Sequence, residues 1–322
     1  MKAAVLNKAG DIPIYQDFPD PVPGQDEQLL FVKAASIKNL DKMRAKGTHY
    51  DKYPSFPVVT GVDGVGVLED GTRVYTGSRK GMMAEKAIVA KQWAVPLPDG
   101  LDDVTAAALP NPAVSAWLSL EWKGQLQKGD AVLILGATGI TGRLAIQLAK
   151  HLGAGKVVAM GRNPAILDTL PGIGADAVLS LNQPYEVIGS ALEAEVRQQP
   201  FAMVLDYLWG EPAELVLDVL TGQDMTAAAS LTRYIQIGEM AGPSIRLNAA
   251  ALRSSAIELS GQGGGSIPKD MLKKIPTVYL PEIFRLALEG KLRIETEAVD
   301  LKDIETAWSR EDGLGKRIVL TI

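Results

Sequence analysis

The sequence predicts an α/β protein built from a barrel-like, mostly β domain in two pieces and a doubly wound parallel sheet between them. Three observations predict this fold. Residues 1–110 hold short β-like runs separated by proline and glycine. From about residue 131, apolar strands alternate with amphipathic helices, which is typical of a parallel sheet. The final segment resembles the first part more than the middle.

The first part of the chain contains three clear strand candidates. Met1–Leu6 and Leu29–Ile37 are apolar or alternating runs. Between them, prolines at positions 19, 21 and 23 disfavour both helix and central strand. Val58–Leu68 interleaves β-branched residues with glycine, which predicts a bent strand. Residues 82–95 add further β-like runs, so we expect an antiparallel, barrel-like domain.

The middle of the chain begins with helices and then alternates. Asp102–Leu109 is alanine-rich and predicts a helix, and Asn111-Pro112 predicts a break before a second helix. Ala131–Leu135 is continuously apolar, as expected of a buried parallel strand. Gly139–Leu152 places leucine and alanine on one helical face. Further strands are predicted at Lys156–Met160, Ala177–Leu181, Ala202–Asp206 and Tyr234–Gly238.

The C-terminal segment returns to the first domain. A helix is predicted at about Pro281–Leu288, and Asp300 is placed to cap a short helix that ends near Trp308. Lys316–Ile322 reads as a closing strand. We therefore predict a catalytic domain over 1–115 and 262–322, interrupted by a nucleotide-binding domain over 116–261.

Composition excludes several classes of function. The 322 residues include no cysteine, which removes disulfides, thiolate zinc sites, iron–sulfur clusters and cysteine nucleophiles. A formal charge of −5 argues against a basic nucleic-acid-binding face. No apolar run approaches the length of a membrane span, and the N-terminal segment lacks the apolar core of a signal peptide. We expect a soluble, cytoplasmic protein that binds neither nucleic acid nor membrane.

A glycine-rich turn follows the first buried strand of the middle region. Its glycines at positions 136, 139 and 142 lie between a strand and an amphipathic helix. Glycine permits a sharp turn and a close backbone approach, and the helix N-terminus attracts an anion. This context favours a dinucleotide pyrophosphate site over a turn used only for packing. The candidate cofactor contacts here are Gly136, Thr138, Gly139, Ile140, Thr141 and Gly142.

The end of the next strand indicates which dinucleotide binds. NAD-binding proteins usually carry an acidic residue about 20 residues after the turn, for the ribose 2′-hydroxyl. This chain has Gly161-Arg162-Asn163 there instead. The guanidinium of Arg162 suits a 2′-phosphate, with Asn163 as a further hydrogen-bonding group. We therefore expect NADP(H), the alternative being that Arg162 is a solvated loop residue.

Taken in order, these segments resemble a known family. The stretch after residue 135, GATGITGRLAIQLAKHLGAGKVVAMGRN, looks like the cofactor motif of the zinc-independent quinone oxidoreductases of the medium-chain dehydrogenase/reductase superfamily. Residues 57–66, 106–117, 252–261 and 315–320 also resemble family segments. The resemblance spans nearly the whole chain. It implies a GroES-like catalytic domain, a Rossmann domain and a homodimer joined through Rossmann-domain strands.

The resemblance also points to catalytic candidates. Zinc members carry a Gly-His-Glu sequence where this chain has Val62-Asp63, and Asp63 alone cannot build a tetrahedral site, so we expect no metal. Lys38 stands where the family commonly has asparagine, and Asn39 is displaced by one place. Lys38 is either a cationic donor or a solvent-facing lysine. Tyr53 is either a phenolic donor or a packing residue with an outward hydroxyl.

Further cofactor contacts are implied after the later strands, because ligands of open α/β sheets bind at the carboxyl ends of the strands. These candidates are Asp206, Ile237, Gly238, Gly261, Gln262 and Gly263. Main-chain amides in these loops are expected to hold the nicotinamide carboxamide.

The sequence thus predicts a cytoplasmic, NADPH-dependent oxidoreductase. Without a metal, hydride transfer to a quinone or an α,β-unsaturated carbonyl fits best, because hydrogen bonds can stabilise the developing enolate. The small-molecule electron acceptor itself is not identified. The alternative is an NADP(H)-binding sensor or structural protein without turnover.

Overall fold

The computed structural model describes residues 1–221, 230–310 and 315–322. The chain forms two compact units. The first unit comprises Met1–Asn111 and Leu272–Ile322, and the second comprises Pro112–Met271. The second unit therefore interrupts the first. The domain limits inferred from the sequence, after residues 115 and 261, stay a prediction.

The strands have the following bounds: β1 (Lys2–Leu6), β2 (Ile14–Asp17), β3 (Glu27–Ser36), β4 (Val58–Val59), β5 (Asp63–Leu68), β6 (Arg73–Gly77), β7 (Lys86–Ala90), β8 (Val95–Pro96), β9 (Ala131–Leu135), β10 (Lys156–Gly161), β11 (Ala177–Ser180), β12 (Phe201–Asp206), β13 (Thr232–Gln236), β14 (Ile257–Gly261), β15 (Thr296–Asp300) and β16 (Arg317–Thr321).

The helices have the following bounds: α1 (Asn39–Lys46), α2 (Asp103–Ala108), α3 (Pro110–Leu118), α4 (Ile140–His151), α5 (Pro164–Leu167), α6 (Tyr185–Gln198), α7 (Gly210–Thr221), α8 (Ala249–Ser254), α9 (Lys269–Lys274), α10 (Leu280–Leu288) and α11 (Ile304–Ser309). A π-helical turn, Ser119–Lys123, continues α3, and another, Ile275–Tyr279, precedes α10. No helix within the described ranges has the length and apolarity needed to cross a membrane.

The first unit is mostly β. Its larger sheet runs β15-β16-β3-β5-β6-β8, with β7 also paired to β3, and a smaller sheet runs β2-β1-β4. Strand β16 pairs antiparallel with β3, so the C-terminal segment completes the sheet begun near the N-terminus. Leu30 and Val32 of β3 share a buried core with Ile304 of α11 and Leu320 of β16.

The second unit is a doubly wound parallel sheet. Its strand order is β11-β10-β9-β12-β13-β14, and every pairing between them is parallel. This is the order in which dinucleotide-binding folds reverse direction between their two halves. Strand β9 is buried along its whole length, as its continuous apolar run predicts. The predicted fold class is confirmed.

Three expectations for local structure are wrong. The single bent strand predicted over Val58–Leu68 is divided into β4 and β5, which belong to different sheets. The expected break at Asn111-Pro112 does not occur, because α3 begins at Pro110 and holds Pro112 in its first turn, where a missing N–H costs nothing. The strand expected at Tyr234–Gly238 ends at Gln236 instead. It ends there because the Ile237 and Gly238 N–H groups turn toward the Asp206 carbonyl.

Gly66 of β5 packs closely against the neighbouring strand β3, so a substitution there measures how tight this packing is. A Cβ at Gly66 would lie 2.4 Å from the Phe31 carbonyl oxygen and 2.7 Å from Leu30 Cγ. We expect Gly66→Ala to lower the free energy of unfolding by about 1–3 kcal/mol, the usual cost of overpacking. Urea denaturation measures it. Gly172→Ala is the matched control, since a Cβ there meets nothing within 4 Å; equal stability of the two variants would contradict the packing described.

Candidate active site

The carboxyl ends of β9, β10, β12, β13 and β14 meet at one edge of the parallel sheet, because all these strands run in the same direction. Every cofactor contact predicted from the sequence lies at the end of one of these strands, in the loop that follows it, or at the start of the next helix. The loops also touch one another, as the contacts below show. The edge is therefore a continuous surface of backbone turns.

The loop between β9 and α4 has the geometry that the glycine spacing predicts. Gly136 adopts φ 89°, a conformation that favours glycine. A Cβ on Gly142 would lie only 2.5 Å from the Gly136 carbonyl oxygen, so glycine lets α4 start directly against the loop. The N-cap of α4, Gly139, makes no side-chain capping bond. The first-turn N–H groups of α4, at Ile140, Thr141 and Gly142, therefore have no side-chain cap and suit an anion.

The end of β10 lies beside the same loop. A Cβ on Gly161 would come within 2.5 Å of Thr138 Cγ2, so the two loops pack closely. Arg162 is exposed, and its carbonyl accepts a 2.6 Å bond from Asn182 Nδ2, which fixes its backbone. Asn163 caps α5, with its Oδ1 accepting from the Ile166 N–H at 3.4 Å. The backbone of Arg162 is thus held in place, while the side chain of Asn163 already has a structural role.

Asp206, at the end of β12, is a fully buried carboxylate. Its Oδ1 accepts from the N–H groups of Leu208 (2.8 Å) and Trp209 (2.9 Å), and its Oδ2 accepts from the Tyr234 hydroxyl (2.8 Å). Burial raises the pKa of Asp206, while the Trp209 and Leu208 N–H groups oppose that rise. The expectation of a direct cofactor contact from this side chain is not supported, since both oxygens are engaged in ordering the loop 207–209.

The loop after β13 is hydrogen-bonded to Asp206. The Ile237 and Gly238 N–H groups donate to the Asp206 carbonyl at 2.8 and 3.1 Å. These two amides are thus paired within the protein, and the cofactor contact expected from Ile237 and Gly238 stays a prediction. A Cβ on Gly238 would lie 2.5 Å from the Tyr207 carbonyl oxygen, so the two loops pack backbone against backbone.

The loop after β14 is anchored by Gln262, which is buried. Its N–H donates to the Gln236 carbonyl at 2.8 Å, and its Oε1 accepts from Ser115 and Ser119 at 3.4 and 3.3 Å. Gly263 N–H donates to Ser266 Oγ at 3.1 Å, while Gly261 ends β14 and is exposed. Sequence reasoning missed both serines, because nothing in a helical Ser-x-x-x-Ser spacing points to a loop more than 140 residues away.

In the first unit, Lys38 is 2% exposed and lies among three oxygens. Its Nζ is 2.9 Å from the Ser36 carbonyl oxygen, 2.9 Å from Asp63 Oδ1 and 3.6 Å from Asp41 Oδ2. The solvent-facing alternative for this lysine is therefore wrong. The geometry favours a counter-ion for two buried carboxylates over a donor to substrate. Its pairing with Asp63 was also missed, since Lys38 precedes α1 and Asp63 begins β5, far along the sequence.

The segment around Lys38 is held by further polar contacts. Asp41 Oδ2 accepts from the Lys38 N–H at 3.0 Å, and Arg317 of β16 donates to the Ile37 carbonyl at 2.9 Å. Burial raises the pKa of Asp41, and the Lys38 ammonium opposes that rise. Asn39, the first residue of α1, is exposed. Its proposed role stays a prediction.

Tyr53 is buried in the first unit, and the Arg44 side chain lies over its ring. The Arg44 guanidinium carbon lies 4.3 Å from the ring centroid, and Phe56 packs edge-on at 6.3 Å. The hydroxyl is buried and makes no hydrogen bond of good geometry with the residues described. Burial, with a smaller contribution from Asp41, raises the pKa of Tyr53 to about 12. The outward hydroxyl is thus wrong, and the phenol stays protonated at neutral pH.

Comparisons with known proteins agree with this geometry. No family profile matches the chain. A probable NADPH-dependent quinone reductase, tdiC of Emericella nidulans, is 28% identical over 99% of both chains. The crystal structure of the Thermus thermophilus quinone oxidoreductase, also solved with NADPH, matches with a TM-score of 0.81 and 25% identity over the full length of both chains. Prostaglandin reductase-3 of Bos taurus is 26% identical over 94% of this chain and 78% of its own.

Over its full length the chain is similar in sequence and fold to quinone reductases and quinone oxidoreductases. The cofactor candidates lie in the second unit and the catalytic candidates in the first. Across residues 1–221, 230–310 and 315–322, no three histidine, aspartate or glutamate side chains are grouped so as to hold a metal ion.

The ion pairs of Lys38 with Asp41 and Asp63 predict that the stability of the protein depends on this lysine. Lys38→Met leaves the Asp41 and Asp63 carboxylates buried without their ammonium, so we expect a loss of about 3–5 kcal/mol at pH 7. Without the ammonium that opposes it, burial raises the folded-state pKa of Asp41 further above the unfolded value of about 3.9. The variant is then most stable at low pH, and its stability falls as the pH rises from the unfolded pKa toward the raised folded-state pKa. The deficit should therefore shrink between pH 7 and pH 5.

Urea denaturation at both pH values measures this deficit. Lys80→Met is the matched control, because Lys80 pairs with Glu27 at the surface and its loss costs less than about 1 kcal/mol. A deficit of Lys38→Met that equals the control, or that is the same at pH 5 and pH 7, would refute the counter-ion role.

Proposed function

We propose that this protein is an NADPH-dependent oxidoreductase that transfers hydride to a quinone or an α,β-unsaturated carbonyl. The observation that carries the proposal is the start of α4. A long helix opens without a side-chain cap behind a glycine loop, and an exposed arginine follows the neighbouring strand. That arrangement suits a pyrophosphate at the helix and a 2′-phosphate at Arg162.

The relatives support the cofactor and the class of reaction. The Emericella relative is named for NADPH-dependent quinone reduction, and the Thermus structure includes a complex with NADPH. An acrylyl-CoA reductase of Ruegeria pomeroyi, 32% identical over 45% of this chain, is named for an unsaturated acyl substrate. NADP(H) is therefore the cofactor of this chain, and the electron acceptor is proposed as a quinone or enone.

Different residues bind the cofactor, order the loops around it and donate a hydrogen bond to the substrate. The first-turn amides of α4 bind the pyrophosphate, and the Arg162 guanidinium binds the 2′-phosphate. Asp206 orders the loops after β12 and β13 without touching the cofactor. When bound, the reduced nicotinamide supplies the hydride. The Tyr53 phenol, which stays protonated at neutral pH, is the proposed donor of a hydrogen bond to the oxygen on which charge develops.

Independence from zinc is part of the proposal. It is supported by the absence of cysteine from the sequence and by the ammonium beside Asp63. Asp63 lies where the resemblance places metal ligands in the zinc enzymes, and a cation of the chain itself already pairs with it. A homodimer and a cytoplasmic location stay predictions from the sequence.

The test is oxidation of NADPH and of NADH with a panel of quinones and enones, in buffer containing a chelator, beside binding titrations of both cofactors. NADPH-selective oxidation that persists in chelator supports the proposal. Tight NADPH binding without oxidation across the panel would favour the sensor alternative. Activity restored only by added zinc would refute independence from the metal.

Arg162→Ala should weaken NADPH binding by about 1–3 kcal/mol, the value of a charge-assisted bond, while NADH binding stays unchanged. Titration calorimetry with both cofactors measures the effect. Arg197→Ala is the control, since Arg197 is an exposed arginine of the same unit that pairs only with neighbouring Glu193 in α6. Equal weakening of both cofactors by Arg162→Ala would rule out the 2′-phosphate role.

Tyr53→Phe should lower kcat by about a hundredfold, as loss of an oxyanion donor does, with NADPH affinity nearly intact. Stability should fall by less than about 1 kcal/mol, because the buried hydroxyl makes no hydrogen bond of good geometry with the residues described. The raised pKa keeps the phenol protonated, so its contribution should be constant from pH 7 to pH 10. Tyr15→Phe, at a half-exposed tyrosine of β2, is the control. Unchanged turnover in Tyr53→Phe would exclude the phenol from catalysis.

A further inference from the structure

Arg44, near the end of α1, is a buried arginine with a weak carboxylate partner. It is 7% exposed, although arginine is seldom buried unless it is paired. Its Nε donates to the Asp51 carbonyl oxygen at 3.3 Å and lies 3.5 Å from Asp51 Oδ2. The Asp51 side chain is exposed, so water screens this ion pair. The cost of burying Arg44 must therefore be offset by a further interaction.

The guanidinium of Arg44 makes that interaction with the ring of Tyr53. Its Cζ lies 4.3 Å from the ring centroid, within the distance at which a cation is attracted to the face of an aromatic ring. Tyr53 is also buried, and the attraction is stronger away from water. Phe56 packs edge-on against the same ring. The ring is thus held by a cation on one face and by a second aromatic ring at its edge.

The backbone around Tyr53 explains why these side-chain contacts matter. Residues 47–57, between α1 and β4, contain no helix or strand. Side chains on such segments are positioned less precisely by their own backbone than side chains on regular elements. Arg44 belongs to α1, so its guanidinium reaches Tyr53 from a regular element. The orientation of the phenol therefore depends on Arg44 more than on the segment that carries it.

The charge of Arg44 also acts on the Tyr53 hydroxyl. A cation beside a phenol favours the ionised form, which makes the O–H group a stronger hydrogen-bond donor. Burial and the Asp41 carboxylate raise the pKa of Tyr53 to about 12, the Arg44 guanidinium opposes that rise, and Asp51 adds to it. A stronger donor gives more stabilisation to negative charge that develops on an oxygen.

We propose that Arg44 is the positioning residue of Tyr53: its guanidinium fixes the orientation of the phenol ring and strengthens the hydroxyl as a hydrogen-bond donor. This inference rests on the proposed function, because it concerns the hydrogen bond that Tyr53 donates in the reaction. Arg44 acts through Tyr53 and is not assigned a contact with substrate or cofactor.

The experiment is a double-mutant cycle between Arg44 and Tyr53. Arg44→Met removes the charge and keeps an unbranched side chain, while Arg44→Lys keeps the charge and loses the planar group. Both are made in the wild type and in Tyr53→Phe. Arg285→Met is the matched control, because Arg285 is a helical arginine of the same unit that pairs with Glu282 and Glu289 at the surface. We measure kcat and KM with the panel acceptor of highest turnover, together with NADPH affinity and thermal unfolding.

Arg44→Met should lower kcat about tenfold, the scale of a desolvated cation–π contact, with KM and NADPH affinity near the wild type. Arg44→Lys should restore part of the loss. In Tyr53→Phe, neither substitution should lower kcat further, because the hydroxyl through which Arg44 acts is gone. An unchanged kcat in Arg44→Met, or the same fractional loss with and without the Tyr53 hydroxyl, would overturn the inference. If Arg44→Met does not fold, Arg44→Lys is judged by the same comparison.

A second measurement does not depend on turnover. The protein is labelled with 3-fluorotyrosine, whose phenol ionises at lower pH than that of tyrosine, and the Tyr53 fluorine signal is assigned by its loss in Tyr53→Phe. In Arg44→Met this signal should titrate at higher pH than in the unsubstituted protein, and in Arg285→Met at the same pH. If Tyr53→Phe keeps full turnover, the proposed role of the phenol fails and this titration alone decides. Titration at higher pH then still supports the action of Arg44 on the phenol, whereas an equal or lower pH overturns it.

Discussion

The structure of the second unit depends on a constraint of parallel sheets. All strands end at the same edge, so the loops that follow them must pack closely against one another. Glycine resolves the closest approaches, with Gly142 against Gly136 and Gly238 against Tyr207. The backbone polar groups at this edge must also find partners. Asp206 provides them for two loops at once, through its carboxylate and its carbonyl. The loops become fixed surfaces on which a cofactor can be recognised.

Buried carboxylates are stabilised by different groups in the two units. Asp206 keeps its carboxylate among neutral donors, two N–H groups and the Tyr234 hydroxyl. Asp41 and Asp63 instead share the Lys38 ammonium. The first arrangement fixes a loop without net local charge compensation, and the second holds α1 against the start of β5. Removing one member of such a set costs more than the intact set contributes, because the remaining charge stays buried.

The fold and the edge of the candidate site were predictable because their signals are periodic or local. The apolar run of β9, the glycine spacing after it and Arg162 after β10 lie within about 30 residues of one another, and their meaning follows from backbone geometry. The partners of Lys38 and Gln262 were not predictable. Asp63, Ser115 and Ser119 are distant in sequence, and their contacts exist only once the sheets are assembled. The bond between Asp206 and Tyr234 was not predictable for the same reason, since Tyr234 comes from the neighbouring strand.

Trp209 shows what such long-range contacts permit. An isolated loop would not hold a tryptophan at positive φ, because its Cβ crowds the backbone there. Asp206, Tyr234 and the backbone of residues 241–242 together outweigh that preference. These same groups join the loops after β12 and β13, so the orientation of the indole is set by the sheet edge itself.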